Sequence, residues 1–206
     1  MPEASETNED EAVDDQRSAR LHEDLSRLYE ARRDSFRSQW DRDLPMEDLL
    51  FDRWERARSL GFGEGTSIYH LSYVFGDVQI GERTWIGPFT VLDGSGGLSI
   101  GSGCDISAGV HIYTHDTVHR VLSEGISEVD SAPVVIGDAC HVGGQAVILA
   151  GVTIGHHSVI GSGSFVNRDI PPYSIAVGSP CRVIGRVEVL EDRSVRLVYD
   201  PEERTP

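Results

Sequence analysis

The sequence has 206 residues, with 34 acidic against 18 basic side chains and a formal net charge of −16. Such an acidic chain is a poor partner for nucleic acid or for an anionic membrane surface, and no apolar run in it is long enough to span a bilayer. Its three cysteines argue against a disulfide framework, and its polar, acidic start resembles no signal peptide, so we expect a cytoplasmic protein with one main domain.

The first 62 residues predict a tail and two helices ahead of the main domain. Residues 1–15 hold seven acids and no base, a composition typical of a disordered tail. Across residues 16–62 apolar side chains recur at helical spacing, with an interruption at Pro45 and an end near Gly61. Because these helices mix charges of both signs, we expect them to pack on the main domain or on a neighbouring subunit rather than on a membrane.

An aliphatic residue at every sixth position dominates residues 66–185. The clearest run is Ile136, Val142, Ile148, Ile154, Ile160 and Val166, with a small or modest side chain four positions after each of the first five. A helix returns its apolar stripe after three or four residues, so a period of six excludes it and permits short strands between Gly-rich turns. The repeat therefore predicts an all-β solenoid, a parallel β-helix.

Two interruptions and a final segment complete the prediction. The period slips by two residues at Gly94–Gly97, and residues 113–133 lack it altogether, which indicates a loop projecting from one corner of the solenoid. Residues 186–206 predict a β-hairpin, with a turn at Glu191–Ser194 between two alternating apolar runs, followed by a frayed tail.

Residues 154–184 resemble the last coils of the hexapeptide-repeat acyltransferases, in particular the sugar O-acetyltransferases of the galactoside, maltose and nodulation type. The matching segments are Ile154-Gly155, Ser158–Gly161, Gly163-Ser164, Asp169–Pro172 and Pro180–Ile184. The resemblance implies a left-handed β-helix, three hexapeptides per coil and a homotrimer. It also implies an O-acetyltransferase that uses acetyl-CoA as acyl donor, requires no metal, and acts on a hydroxyl of a sugar or polysaccharide precursor.

The resemblance further implies a catalytic histidine in the 113–133 loop. The family motif, a histidine followed after a short spacer by Val-His, is matched by His115 and then His119. We therefore expect His115 to be the general base, with His119 as second candidate. A sugar hydroxyl is too weakly acidic to attack a thioester unaided, and a neutral imidazole can take its proton as attack proceeds. Asp93, Asp105 and Asp116 are the candidates to orient His115.

The resemblance also implies which residues of this chain contact the cofactor and the acceptor, one position at a time. The cofactor positions are Gly144, Ser162, Asn167, Arg168 and Arg182. The two arginines are expected to hold phosphates, although the family often has a hydroxyl where this chain has Gly144. For the acceptor, Asp93 lies near the family's sugar-binding acid, and Trp85 is expected to stack on a sugar.

Two alternatives remain open at this point. The acceptor can instead be an amine, as in an N-acetyltransferase of an amino sugar or small amine. The γ-carbonic anhydrases share the coil and hold a metal with three histidines from two subunits. This chain has histidines in the same region, but their spacing does not match well.

Overall fold

The computed structural model describes residues 6–200, with side chains from residue 14 onward. It divides into two units, with the boundary between Asp52 and Arg53. The first unit contains α1 (Glu6–Trp40) and α2 (Met46–Leu50). No helix in the described part of the chain is long and apolar enough to cross a membrane.

The N-terminal segment differs from its prediction in two places. α1 begins at Glu6, so the expectation of disorder over residues 1–15 is wrong from residue 6 onward, and residues 1–5 lie outside the described part. Acids near a helix N-terminus interact favourably with the helix dipole, so the acidic composition is compatible with a helix. The second predicted helix is also broken, because Phe51 is extended with φ −117° and ψ 143°.

The second unit is the solenoid. Its elements in chain order are α3 (Arg53–Ser59), β1 (Ser67–Ile68), β2 (Tyr73–Ile80), β3 (Trp85–Ile86), β4 (Val91–Ile100), β5 (Asp105–Ile106), β6 (His111–Ile112), β7 (His115–Asp116), α4 (Val118–Leu122), β8 (Asp130–Ser131), β9 (Val134–Ile136), β10 (His141–Val142), β11 (Val147–Ile148), β12 (Thr153–Ile154), β13 (Val159–Ile160), β14 (Phe165–Val166), β15 (Ser174–Val177), β16 (Arg182–Val189) and β17 (Val195–Tyr199).

The strands form the three faces of a left-handed parallel β-helix, as expected. Face 1 consists of β1, β3, β5, β10, β13 and β15. Face 2 consists of the first halves of β2 and β4 with β6, β11 and β14. Face 3 consists of the second halves of β2 and β4 with β9 and β12, so β2 and β4 run around the corner between faces 2 and 3.

The aliphatic residues of the six-residue period form the core of the β-helix. Partners on face 1 such as Ile68 and Ile86, or Val142 and Ile160, are eighteen residues apart, which is three hexapeptides per coil. The aliphatic positions point inward and stack, and Ile68, Ile86, Val142 and Ile160 are completely buried. Burying a side chain of this size contributes about 1.5–3 kcal/mol, and the stack repeats this gain in every coil.

Both predicted interruptions of the repeat, at Gly94–Gly97 and at residues 113–133, are visible in the pairing of the strands. The β2–β4 register shifts after Gly76, because Gly76 pairs with Gly94 while Val78 pairs with Leu98. The coil therefore carries two extra residues at this corner. The next coil contains the 113–133 segment, which is not structureless: β7 and β8 pair antiparallel, with α4 between them.

The C-terminal hairpin starts earlier than predicted. β16 begins at Arg182 rather than after residue 185, and it pairs antiparallel with β15 of the last coil before it pairs with β17. The parallel stack therefore ends at β15, and the hairpin extends the sheet of face 1. The predicted frayed tail lies outside the described residues beyond Asp200.

Candidate active site

His115 and Asp93 form a hydrogen-bonded pair at the corner between faces 2 and 3. His115 Nδ1 lies 2.6 Å from Asp93 Oδ2. The His115 side chain is 38% exposed, whereas that of Asp93 is only 2% exposed. The pair thus has a buried acid beneath a histidine whose remaining edge reaches solvent.

Four further hydrogen-bond contacts hold Asp93 in place, three to its carboxylate and one to its backbone carbonyl. Oδ1 accepts the backbone N–H of Ser95 at 2.9 Å, and Oδ2 accepts that of Thr114 at 2.9 Å. The Thr114 hydroxyl donates to the Asp93 carbonyl at 2.9 Å, with a longer contact of 3.3 Å to Oδ2. Both carboxylate oxygens are therefore occupied inside the chain.

These hydrogen bonds determine the charge of Asp93. Burial alone raises the pKa of a carboxyl group, but the hydrogen bonds from Ser95, Thr114 and His115 outweigh it, and the pKa of Asp93 lies well below its usual range. Asp93 is accordingly an anion that can only accept hydrogen bonds. His115 must then carry its proton on Nδ1, which leaves Nε2 as a proton acceptor.

The two interruptions of the repeat create this pair together. Asp93 immediately follows Leu92, whose partner in the next coil is Ile112, so the residues that leave the coil after Ile112 lie directly beside Asp93. The two-residue insertion turns the Ser95 N–H toward Asp93 and lets the Gly96 N–H donate to the Thr114 hydroxyl at 2.8 Å. A Cβ at Gly96 would lie 2.4 Å from the Thr114 carbonyl oxygen, so a glycine is needed for this approach.

The second histidine of the motif belongs to a different pair. His119 lies on α4, and its Nδ1 is 2.5 Å from Asp130 Oδ2 on the returning strand β8. This hydrogen bond raises the pKa of His119 above its ordinary value. With its side chain 73% exposed, His119 joins the two sides of the loop, away from Asp93.

The positions predicted to bind the cofactor fall at separate places on the solenoid. Gly144 and Ser162 lie in successive turns of the corner between faces 1 and 2, where the Gly163 N–H donates to the Gly144 carbonyl at 2.9 Å. Asn167 and Arg168 follow β14 and are exposed at the corner between faces 2 and 3, the corner from which the His115 loop leaves.

Arg182 lies beyond the last coil, at the start of β16, and its Nη1 donates to the Cys181 carbonyl at 2.9 Å. Within one chain, therefore, only Asn167 and Arg168 of the predicted cofactor positions share the corner of His115.

The two residues predicted to bind the acceptor lie at different places on the solenoid. Asp93 is buried, and both of its carboxylate oxygens accept hydrogen bonds inside the chain, Oδ2 from His115 among others. Trp85 lies on face 1, where it packs edge-to-face against Tyr69 with ring centroids 5.7 Å apart. The burial of Asp93 follows from the two-residue insertion, whose geometry was not evident from the sequence.

The histidines of the metal-site alternative are also dispersed. His111 Nδ1 contacts the Tyr113 hydroxyl at 3.2 Å, while His115 and His119 are bound to Asp93 and Asp130. Among the described residues, no group of three histidine, cysteine or acidic side chains is placed to hold a metal ion.

Comparisons with known proteins agree with the repeat. A family model described as bacterial transferase hexapeptide (six repeats) matches residues 133–168, and one described as hexapeptide repeat of succinyl-transferase matches residues 77–114. Both models describe hexapeptide repeats, and together they match less than half of the chain. The matched segments lie on either side of the loop that carries His115.

Several curated relatives of the chain are acetyltransferases by name. Galactoside O-acetyltransferase of Escherichia coli (strain K12) is 47% identical over 73 residues, 35% of each chain. A Staphylococcus aureus (strain COL) protein, provisionally named as an acetyltransferase, is 39% identical over 94 residues, 43% of this chain and 46% of its own. The alignments thus span less than half the length of these relatives.

Solved structures cover more of the chain. A galactoside acetyltransferase in complex with coenzyme A is 29% identical, with a TM-score of 0.52, and the match covers 79% of this chain and 82% of that one. AntD, an N-acyltransferase from Bacillus cereus in complex with dTDP and coenzyme A, has a TM-score of 0.55 at 20% identity. The match covers 64% of this chain and 88% of the AntD chain. At that identity the likeness to AntD concerns the fold alone.

Proposed function

We propose that this chain is an acetyl-CoA-dependent O-acetyltransferase that acetylates a hydroxyl of a sugar or polysaccharide precursor, with His115 as general base. The main support is the His115–Asp93 pair, in which a buried anion holds Nδ1 and leaves Nε2 free at a half-exposed position. The coenzyme A complex of the galactoside acetyltransferase and the similarity to the Escherichia coli enzyme support the donor and the acceptor class.

The residues present are suited to coenzyme A. At Gly143-Gly144 the backbone packs closely on the adjacent coils, because a Cβ on Gly144 would lie 3.1 Å from the Ala108 carbonyl oxygen and one on Gly143 would lie 2.5 Å from the Ser162 nitrogen. Ser162, in the next turn of the same corner, is exposed and offers a hydroxyl to the pantetheine arm. Arg168 is exposed and forms no ion pair within the described residues, so it remains available for a phosphate.

The proposed roles of the protein groups follow from the geometry. When bound, acetyl-CoA would supply the thioester carbonyl as electrophile. His115 Nε2 takes the proton of the acceptor hydroxyl as the oxygen attacks, and Asp93 stabilises the resulting imidazolium through its bond to Nδ1. The proton then passes from His115 to the departing thiolate sulfur, and the histidine is neutral again.

Replacement of the two loop histidines tests this proposal. We expect His115→Ala to lower kcat by about 10²–10⁴-fold, the usual contribution of a positioned general base, while acetyl-CoA binding stays nearly unchanged. His119→Ala is the matched control, because it removes a histidine of the same loop that is bound to a different acid. The readouts are thiol release from acetyl-CoA with methyl β-galactopyranoside or maltose as acceptor, and calorimetry for acetyl-CoA. Full turnover by His115→Ala would refute the assignment.

A further inference from the structure

An exposed pair of aromatic rings lies next to the His115–Asp93 pair. Tyr73 and Phe75, two residues apart on β2, point to the same side of the strand and are 63% and 48% exposed. Their ring planes are 16° from parallel, and their centroids are 6.1 Å apart. Rings in full face-to-face contact approach to about 3.5–4 Å, so these two rings leave much of their faces open to a ligand.

The strand pairing sets the position of this pair relative to the base. Phe75 is the direct partner of Asp93 in the adjacent coil, and Tyr73 is the partner of Val91. Adjacent strands are about 4.8 Å apart, and His115 is bound directly to Asp93. The coils are pressed together at this corner, since a Cβ at Gly94 would lie 2.2 Å from the Asp77 carbonyl oxygen. The rings are therefore held one coil away from the acid that orients the base.

The chemistry of two open rings at this place favours one class of ligand. Aromatic faces carry partial negative charge and attract the C–H groups that line one side of a pyranose. A linear polyol offers the same hydroxyls without a fixed apolar face. Asp93, the acid predicted to bind the acceptor, is buried at this corner, whereas the two rings are exposed there.

We propose that Tyr73 and Phe75 form a stacking platform for the ring of a pyranose acceptor, which presents one hydroxyl to His115. This inference rests on the proposed acetyltransferase function and specifies its acceptor as a cyclic sugar with one face of C–H groups. Phe75, one coil from Asp93, is the closer of the two rings to the base, and Tyr73 extends the platform along the strand.

The test compares a cyclic and a linear acceptor in variants of Phe75. We expect Phe75→Leu, which keeps an apolar side chain but removes the ring, to raise the KM for methyl β-galactopyranoside by about 3- to 10-fold. The KM for galactitol and for acetyl-CoA should not change. Phe75→Tyr should retain the parent values, and Tyr73→Ala should follow Phe75→Leu. Tyr173→Ala is the control, because Tyr173 is an exposed aromatic residue that follows β14 at a corner other than that of His115.

Direct binding separates this inference from the function on which it rests. Saturation-transfer NMR with methyl β-galactopyranoside, without acetyl-CoA, should show contact along one face of the sugar in the parent and Phe75→Tyr, and lose it in Phe75→Leu. If such binding occurs without acetyl transfer, the platform holds and the proposed function fails. If transfer occurs and Phe75→Leu matches the parent, the platform is refuted. Dissociation of an assembly by Phe75→Leu, measured by light scattering, would instead make the rings a subunit contact and also refute it.

Discussion

In the proposed mechanism, the chemistry of His115 depends on Asp93. Its carboxylate accepts two backbone N–H groups, those of Ser95 and Thr114, besides the imidazole. A neutral amide at this position cannot accept hydrogen bonds from all three, because one of its two polar atoms is a donor. The orientation and the tautomer of His115 are thus determined by the charge of its partner.

Asp93→Asn tests this dependence. We expect kcat to fall by about 10²–10⁴-fold, as when a base loses the acid that orients it, while the KM for acetyl-CoA stays the same. Asp105→Asn is the matched control, because Asp105 is a candidate from the sequence that lies on face 1 and accepts from the Ser107 hydroxyl. Equal activity of the Asp93→Asn variant and the parent would show that the hydrogen bond has no catalytic role.

The same substitution has an expected effect on stability against pH. The pKa of Asp93 is lowered on folding, so its contribution to stability is fully present above the ordinary Asp pKa of about 3.9 and is lost as pH falls through the lowered value. The thermal midpoint of the parent should therefore fall more steeply than that of Asp93→Asn below pH 4. A calorimetric series from pH 7 to pH 2 measures this, with Asp105→Asn again as control.

At the scale of elements, the segment from β7 to β8 carries the proposed base, His115, without being part of the repeat. Its neck is fixed by the antiparallel pair His115–Ser131 and by the Ala132 N–H, which donates to the Thr114 carbonyl at 3.0 Å. Its outer part is held by the His119–Asp130 hydrogen bond. The neck keeps the base in place, and the outer bond limits the motion of α4.

The outer bond should make the loop sensitive to pH. The pKa of His119 is raised by Asp130, so the bond contributes fully below the ordinary His pKa of about 6.5 and weakens as pH rises through the raised value. We expect trypsin to cleave after Arg120 more slowly in the parent than in Asp130→Asn at pH 6, because only the parent has the bond. The difference should shrink as pH rises through the raised pKa of His119. Comparison at each pH cancels the pH dependence of the protease. Equal cleavage of the two proteins at pH 6 would contradict this.

At the scale of the whole molecule, several apolar residues stay exposed in a single chain. On α1, Leu21, Leu25 and Leu28 are 59%, 40% and 46% exposed and lie on one side of the helix. On the hairpin, Val195 and Leu197 are 60% and 44% exposed. An assembly of several copies would cover such surfaces, and the family resemblance makes a homotrimer the expected one.

We predict a trimer in solution that depends on ionic strength. Light scattering should give three times the chain mass of 22.6 kDa at micromolar concentration. Because each chain carries a net charge of −16, the copies repel each other, and added salt should stabilise the trimer by screening this repulsion. A monomer under these conditions would contradict the prediction.

The solenoid and the candidate base could be predicted from the sequence, for different reasons. The aliphatic period of six is a local pattern, and each coil buries the same positions, so Ile136–Val166 are sufficient to indicate the β-helix. The prediction of His115 as the base rests on the resemblance of its motif to that of a known family and on the end of the six-residue period at Ile112. The predicted limits of the helices and the hairpin were less accurate. Phe51 is extended and ends α2, and Arg182 already pairs with β15, and neither feature is a local sequence pattern.

Only the tertiary structure decided which residues surround the base. Asp93 and His115 are 22 residues apart, and the stacking of one coil on the next brings them into contact. The two-residue insertion after Asp93 lies at the same corner. The same stacking places Phe75 beside Asp93 and leaves Trp85 on another face. The six-residue period in the sequence shows that coils form. It does not show which corner a side chain reaches, because insertions shift the pairing register between one coil and the next.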